Sequence, residues 1–240
     1  MCGRYTLAAP DPAQIRARFP IGETVEVRQR FNVAPGDEIL AVTTDREGAP
    51  RGELLQWGLV PHWAPEPASP VKMINARAET LQEKPAFRDA LGRFRCLILA
   101  DGFYEWAPAS GAGARPYKQA FHITRADGEP FAFAGLWSIW RREEVELRSC
   151  TIITTQANPA LARLHDRMPV ILDPGAESTW LDRATSAAEL AALLRPLPAS
   201  ATSICPVGPA VNDARYDGPE CLVEASAAPR PEGEAQATLF

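Results

Sequence analysis

The sequence holds no run of apolar residues near the roughly 18 that cross a bilayer, and no basic stretch followed by an apolar one at its start. We therefore expect a cytoplasmic protein with no membrane partner. Histidine is scarce, at three residues, and the five cysteines (Cys2, Cys96, Cys150, Cys205 and Cys221) include no C-x-x-C pair. Without that pair or a His-x-x-x-His run the chain lacks a recognisable metal site, and an odd, widely spaced set of thiols reads as reduced. No metal and no other cofactor is expected. Basic residues are in deficit, 25 Lys and Arg against 30 Asp and Glu, for a formal charge of −5. That balance excludes a protein coated over its whole surface in nucleic acid, though not a groove built locally from a few arginines.

What is present is an ordinary globular composition, 46% apolar and 23% charged over 240 residues, with 23 prolines that point to a loop-rich fold. Cys96 and Cys150 lie in the apolar runs RCLILA and SCTIITT and read as small buried hydrophobes. The segment RCLILADGFYEW reads as two strands joined by an Asp-Gly turn, and PYKQAFHITRADGEPFAFAGLWSIW as a second such hairpin at Asp127-Gly128. CTIITT suits a central strand, Asn158-Pro159 starts a short helix through PALARLHDR, and MPVIL returns to strand. Helices are confined to DPAQIRARF, PAFRDAL, AESTWLDR and SAAELAALLR. The expected fold is α+β, a mostly antiparallel, barrel-like sheet with short peripheral helices, over residues 1–222. From Val223 the composition turns to Ala, Pro and Glu, so 223–240 is expected to be a flexible tail.

Four polar residues stand in unexpected settings: Cys2, Asn75 in MINARAET, Glu105 in GFYEW and His165 in LARLHDRMP. Each also has an ordinary reading, as a helix cap for Asn75, a solvated strand position for Glu105 and a surface or capping group for His165. Six motifs in order, MCGRYTL, FNVAPG, WGLVPHW, INARAET, ADGFYEW and HDRMPVIL, resemble the SOS response-associated peptidase family over roughly residues 2–222.

The resemblance implies a sensor of abasic sites in single-stranded DNA that crosslinks to them covalently through Cys2 once Met1 is removed. An abasic deoxyribose opens to an aldehyde. A terminal cysteine offers it an amine, which forms a Schiff base, and a thiol, which closes on the same carbon as a thiazolidine. An α-amine of pKa near ~8 is roughly a tenth neutral at pH 7, so little help is needed. By the same resemblance Glu105 shuttles protons, Asn75 positions Cys2, and His165, with Asp166 as its partner, is a second acid or base. Arg4, Asn32, Pro35, Trp63, Arg77, Trp106 and Arg167 are implied as DNA contacts, phosphate clamps and stacking faces. Ordinary salt bridges and core packing are the competing readings for the arginines and aromatics, and Trp57 and Trp137 read as core. The chain departs from the family pattern at Ala64-Pro65, where related sequences often place another aromatic.

The family name supplies one alternative function, a cysteine peptidase that removes its own Met1. A non-covalent single-stranded DNA module is another. The last residues, QATLF, resemble a sliding-clamp-binding peptide through Gln236, Leu239 and Phe240, against coincidence as the competing reading. The expected assembly is a monomer.

Overall fold

The computed structural model describes residues 2–8, 11–67, 72–108 and 118–225. Met1 and the tail residues Gln236, Leu239 and Phe240 lie outside them. Among the described residues the chain forms two sheets and four short α-helices.

The first sheet contains β1 (Tyr5–Leu7), β2 (Arg30–Val33), β7 (Gly102–Pro108), β8 (Lys118–Arg125) and β13 (Thr202–Val207), in the order β13-β8-β7-β1-β2. It is antiparallel throughout. The second is built on β3 (Glu38–Thr44), β4 (Pro50–Trp57), β6 (Arg95–Ala100), β9 (Phe131–Arg142) and β10 (Val145–Gln156). These five pair in a ring, β3-β4-β10-β9-β6 and back to β3, so the sheet closes into a barrel. Closure runs through a parallel seam of two residue pairs, Ser149 with Gln56 and Cys150 with Trp57. Farther along β10 its edge is taken over by β5 (Asn75–Arg77), also parallel, while β11 (Arg167–Pro169) and β12 (Ile171–Leu172) extend the sheet. The expected α+β, mostly antiparallel barrel is therefore the fold found.

The two Asp-Gly turns are not hairpins. β6 leads through Asp101-Gly102 into β7 and β8 leads through Asp127-Gly128 into β9, yet neither pair shares a ladder. Each turn carries the chain from one sheet to the other. At the first, the Asp101 carboxylate accepts hydrogen bonds from Thr6 Oγ1 and from the Ala8 amide at 2.6 Å. A Cβ on Gly102 would stand 2.1 Å from His122 Nε2, so only glycine fits. The sheets thus meet through side chains. Tyr5 and Phe103 of one pack edge-on against Trp57 and Phe133 of the other, at ring separations of 5.4–6.2 Å. Trp57 and Trp137 are core as expected, and so are Cys96 and Cys150.

A true hairpin joins β9 to β10 through Glu143-Glu144, with Glu143 at φ +49°. The four helices fall on the segments expected to be helical. α1 (Pro12–Arg18) starts on Asp11, whose side chain accepts from the Ala13 amide, and α4 (Ala187–Leu193) starts on a Ser186/Glu189 capping box. α2 (Pro85–Arg93) and α3 (Glu177–Leu181) are tied together by buried Arg95, which donates to the carbonyls of Leu91, Trp180 and Asp182. The helix expected after Asn158 is instead a series of turns. Asn158, 3% exposed, spends its side chain on Leu197, Thr202 and the Leu161 amide. Both edges of the open sheet are covered: the Asp217 carboxylate accepts from the Phe31 and Asn32 amides on β2, and Glu224 bridges to Val207 on β13.

Candidate active site

β1 and β7 pair Tyr5 with Phe103, and Arg4 accepts from the Tyr104 amide, so the residues before β1 run alongside Glu105 and Trp106. Cys2 is fully buried there. Its carbonyl accepts a 2.7 Å hydrogen bond from Asn75 Nδ2, and its thiol lies 3.6 Å from the Arg4 carbonyl. Asn75 arrives on β5, whose alternation buries Ala76 and leaves Asn75 and Arg77 on the opposite face. With Nδ2 committed to Cys2, Asn75 Oδ1 is a buried acceptor with no partner among the described residues.

Glu105 is 3% exposed. Burial raises its carboxyl above the ordinary range, against the opposing pull of the chain's amino terminus and then of His165. Burial, with Glu105 adding to it, also pushes the Cys2 thiol far above its usual value. His165 stands at the end of the turns that follow β10. Its Nδ1 is 2.9 Å from the Arg167 amide and 2.9 Å from Asp166 Oδ1. The four residues singled out for chemistry are thus linked, Asn75 to Cys2 by a hydrogen bond, and Cys2, Glu105 and His165 by their fields.

The residues implied as DNA contacts divide. Arg77 is exposed and makes no ion pair among the described residues. Arg4 is half-buried and fixed by one nitrogen, Nη1, which donates at 3.0 Å both to Asn32 Oδ1 and to the Val211 carbonyl. Asn32 is 1% exposed, and its amide nitrogen bonds the Asp213 and Tyr216 carbonyls, so it holds Arg4 instead of reaching outward. Arg167 is buried in a two-point pair with Glu79, at 2.7 and 2.9 Å, and donates to the Thr154 carbonyl at 2.6 Å. Both terminal nitrogens are thus engaged inside the protein, while the buried Nε has no hydrogen-bond partner among the described residues. Trp63 is 54% exposed beside a groove of about 570 Å³ lined also by Arg93, Trp137 and Arg141. Trp106 is half-buried and donates from Nε1 to Asn212. Pro35 sits half-buried in the turn between β2 and β3.

The chain belongs to the SOS response associated peptidase family, whose profile matches residues 1–214. It is 41% identical over 229 residues to the abasic site processing protein YoaM of Bacillus subtilis, covering 92% of this chain and 97% of that one. It is 31% identical to the abasic site processing protein YedK of Escherichia coli, over 80% and 83% of the two chains. A crystal structure of a protein from Bacteroides thetaiotaomicron superposes with a TM-score of 0.81 at 25% identity, covering 94% of this chain and all of that one.

Sequence reasoning within this family pattern misses a second layer. Thr6, Asp101 and His122 form a buried network behind β1, in which Thr6 Oγ1 donates to Asp101 and accepts from His122 Nε2 at 3.0 Å. Burial lowers the His122 pKa to about 4, so the ring is neutral at physiological pH. The sequence shows only an Asp-Gly turn at this point, because Thr6 and His122 lie far from Asp101 along the chain and meet it only in the fold. Among the described residues no cluster of three or more His, Cys, Asp or Glu side chains is placed to hold a metal, and no helix is long and apolar enough to cross a membrane.

Proposed function

We propose that this protein recognises abasic sites in single-stranded DNA and captures them as a thiazolidine on Cys2, after Met1 is removed. The observation that carries the reading is a fully buried Cys2 whose carbonyl is held by Asn75 beside a buried carboxyl of raised pKa. The Cys2 amine adds to C1′ of the open-chain sugar, and the carbinolamine loses water to give the Schiff base. The thiol then adds to that carbon and its proton goes to the nitrogen, so one aldehyde and one aminothiol are consumed, one thiazolidine forms and one water is released.

Burial keeps the thiol protonated, which puts the amine first in this order and disfavours a thiolate peptidase. Glu105, protonated to an unusually high pH, donates to the departing hydroxyl and afterwards takes up a proton. Asn75 Oδ1 accepts from the amine or a sugar hydroxyl. Arg77 and the outward nitrogens of Arg4 take the flanking phosphates, and exposed Trp63 offers a stacking face. We place the protein in the cytoplasm as a monomer, with single-stranded DNA as its partner and the sliding clamp as a second partner of QATLF.

The test is incubation of the protein, its N-terminal mass confirming loss of Met1, with an abasic single-stranded oligonucleotide. A heat-stable adduct is expected from the wild type and none from Cys2→Ala. Cys2→Ser retains the amine, so borohydride should trap its Schiff base. Absence of a wild-type adduct, or peptide cleavage in its place, overturns the reading.

A further inference from the structure

Trp63 is a large apolar side chain left 54% exposed at the centre of a tight turn, which the Ala64 amide closes on the Pro61 carbonyl at 3.0 Å. That turn is tied to the barrel at both ends by buried groups. On its leading side the Val60 amide donates at 2.8 Å to Ser149 Oγ, from a fully buried residue of β10. On its trailing side the Ala64 carbonyl accepts at 2.9 Å from Nε1 of Trp140, a buried residue of β9. Val60, Ala64 and Trp140 form a small apolar cluster, and Leu147, which faces Trp140 across the β9–β10 ladder, packs against it. Ala64 is turned into this cluster, so Trp63 is the large apolar side chain that the turn presents to solvent. A buried tryptophan needs an acceptor for its N–H. Here the acceptor is the residue next to the exposed tryptophan, so one indole stands on the other.

We infer that Trp140 and Ser149 are positioning residues that hold the Pro61–Ala64 turn in one pose, so that Trp63 meets a base already ordered. The consequence for DNA rests on the stacking role proposed for Trp63. The anchored pose does not. Ordering a side chain and its turn at the moment of binding lowers affinity, and a pose held beforehand avoids that loss. Both anchors are buried, so cutting either one strands a carbonyl or an amide without a partner, and the turn has to move to find water. The apolar contacts of Trp140 would be met nearly as well by phenylalanine. Its N–H is what fixes the turn.

Hydrogen exchange at the Val60 and Ala64 amides reads the pose, and binding of an undamaged single-stranded oligonucleotide reads its consequence. Trp140→Phe keeps a ring in the cluster and removes the donor, and exchange at those two amides should quicken about tenfold in it. Trp63→Ala should weaken oligonucleotide binding about tenfold, within the range of one stacked base. Trp140→Phe should weaken it about threefold, and the double variant should bind no more weakly than Trp63→Ala alone. Were Trp140 needed only for folding, its loss would appear again in full on top of that of Trp63→Ala. That additivity overturns the inference, as does unchanged exchange in folded Trp140→Phe, or undiminished binding by Trp140→Phe where Trp63→Ala binds weakly. If Trp140→Phe does not fold, Ser149→Ala removes the other anchor and gives the same two readouts. Quickened exchange together with an affinity that Trp63→Ala leaves unaltered upholds the anchored turn and removes Trp63 from DNA binding.

Discussion

Glu105, at 3% exposure, holds its proton to a higher pH than the same residue does in the unfolded chain, where it ionises near ~4.3. Between those two values the folded state binds a proton that the unfolded state has lost, so stability falls as pH rises through that window. Glu105→Gln removes the penalty. Its melting temperature should exceed that of the wild type at pH 8 and converge with it near pH 4, and parallel curves across that range would show that burial does not strain the carboxyl. The same variant should slow crosslinking by about 10²-fold while changing oligonucleotide affinity little, as expected for a proton-transfer group. Of these residues, Cys2, Asn75, Glu105 and His165 stood out in the sequence because polar groups in apolar or turn segments call for an explanation. Asn32 and Arg167 were named too, but sequence cannot tell a side chain that reaches outward from one that turns to partners inside the protein.

The crossing at Asp101-Gly102 has to pass His122, Thr6 and the start of β7 in close contact. Gly102→Ala would drive a Cβ against the His122 ring and should destabilise the protein by about 1–3 kcal/mol, measured by chemical denaturation. His122 gives a second signature. With its pKa held down to about 4 against ~6.5 when unfolded, its contribution is fully present above pH 6.5 and is lost as pH falls toward 4. The loss amounts to about 3 kcal/mol, and His122→Gln should flatten the stability curve over that interval. Elements were legible wherever local chemistry decides them. Asp11 with Pro12 and Ser186 with Glu189 announce their helices, and β-branched CTIITT announces β10. Asp-Gly announces a turn but not which strands it joins, because that depends on side chains distant in sequence. The β9–β10 hairpin was missed for the converse reason, since its left-handed position is a glutamate and carries no glycine or asparagine signal.

For the molecule as a whole, a charge of −5 and a few local arginines imply shallow salt dependence. If Arg4 and Arg77 each neutralise one phosphate of single-stranded DNA, the slope of log affinity against log salt should be about −1.4, and Arg77→Ala should halve it. A slope several times steeper would mean a wider basic track than the one described. Ala225 donates to the Pro206 carbonyl beside the Glu224 bridge. Deleting residues 226–240 should therefore leave thermal unfolding unchanged, while clamp binding, if QATLF carries it, disappears.

The covering of the open sheet bears on what this protein does at high concentration. A bare strand edge invites another chain to add itself as the next strand, and sheets that expose one tend to stack or precipitate. Here a single carboxylate, Asp217, occupies two neighbouring amides of β2 and also pairs with Arg30. Asp217→Ala would leave those donors open. In light scattering the variant should grow larger species with time where the wild type does not, which makes a residue outside the chemistry the guardian of the protein's solubility.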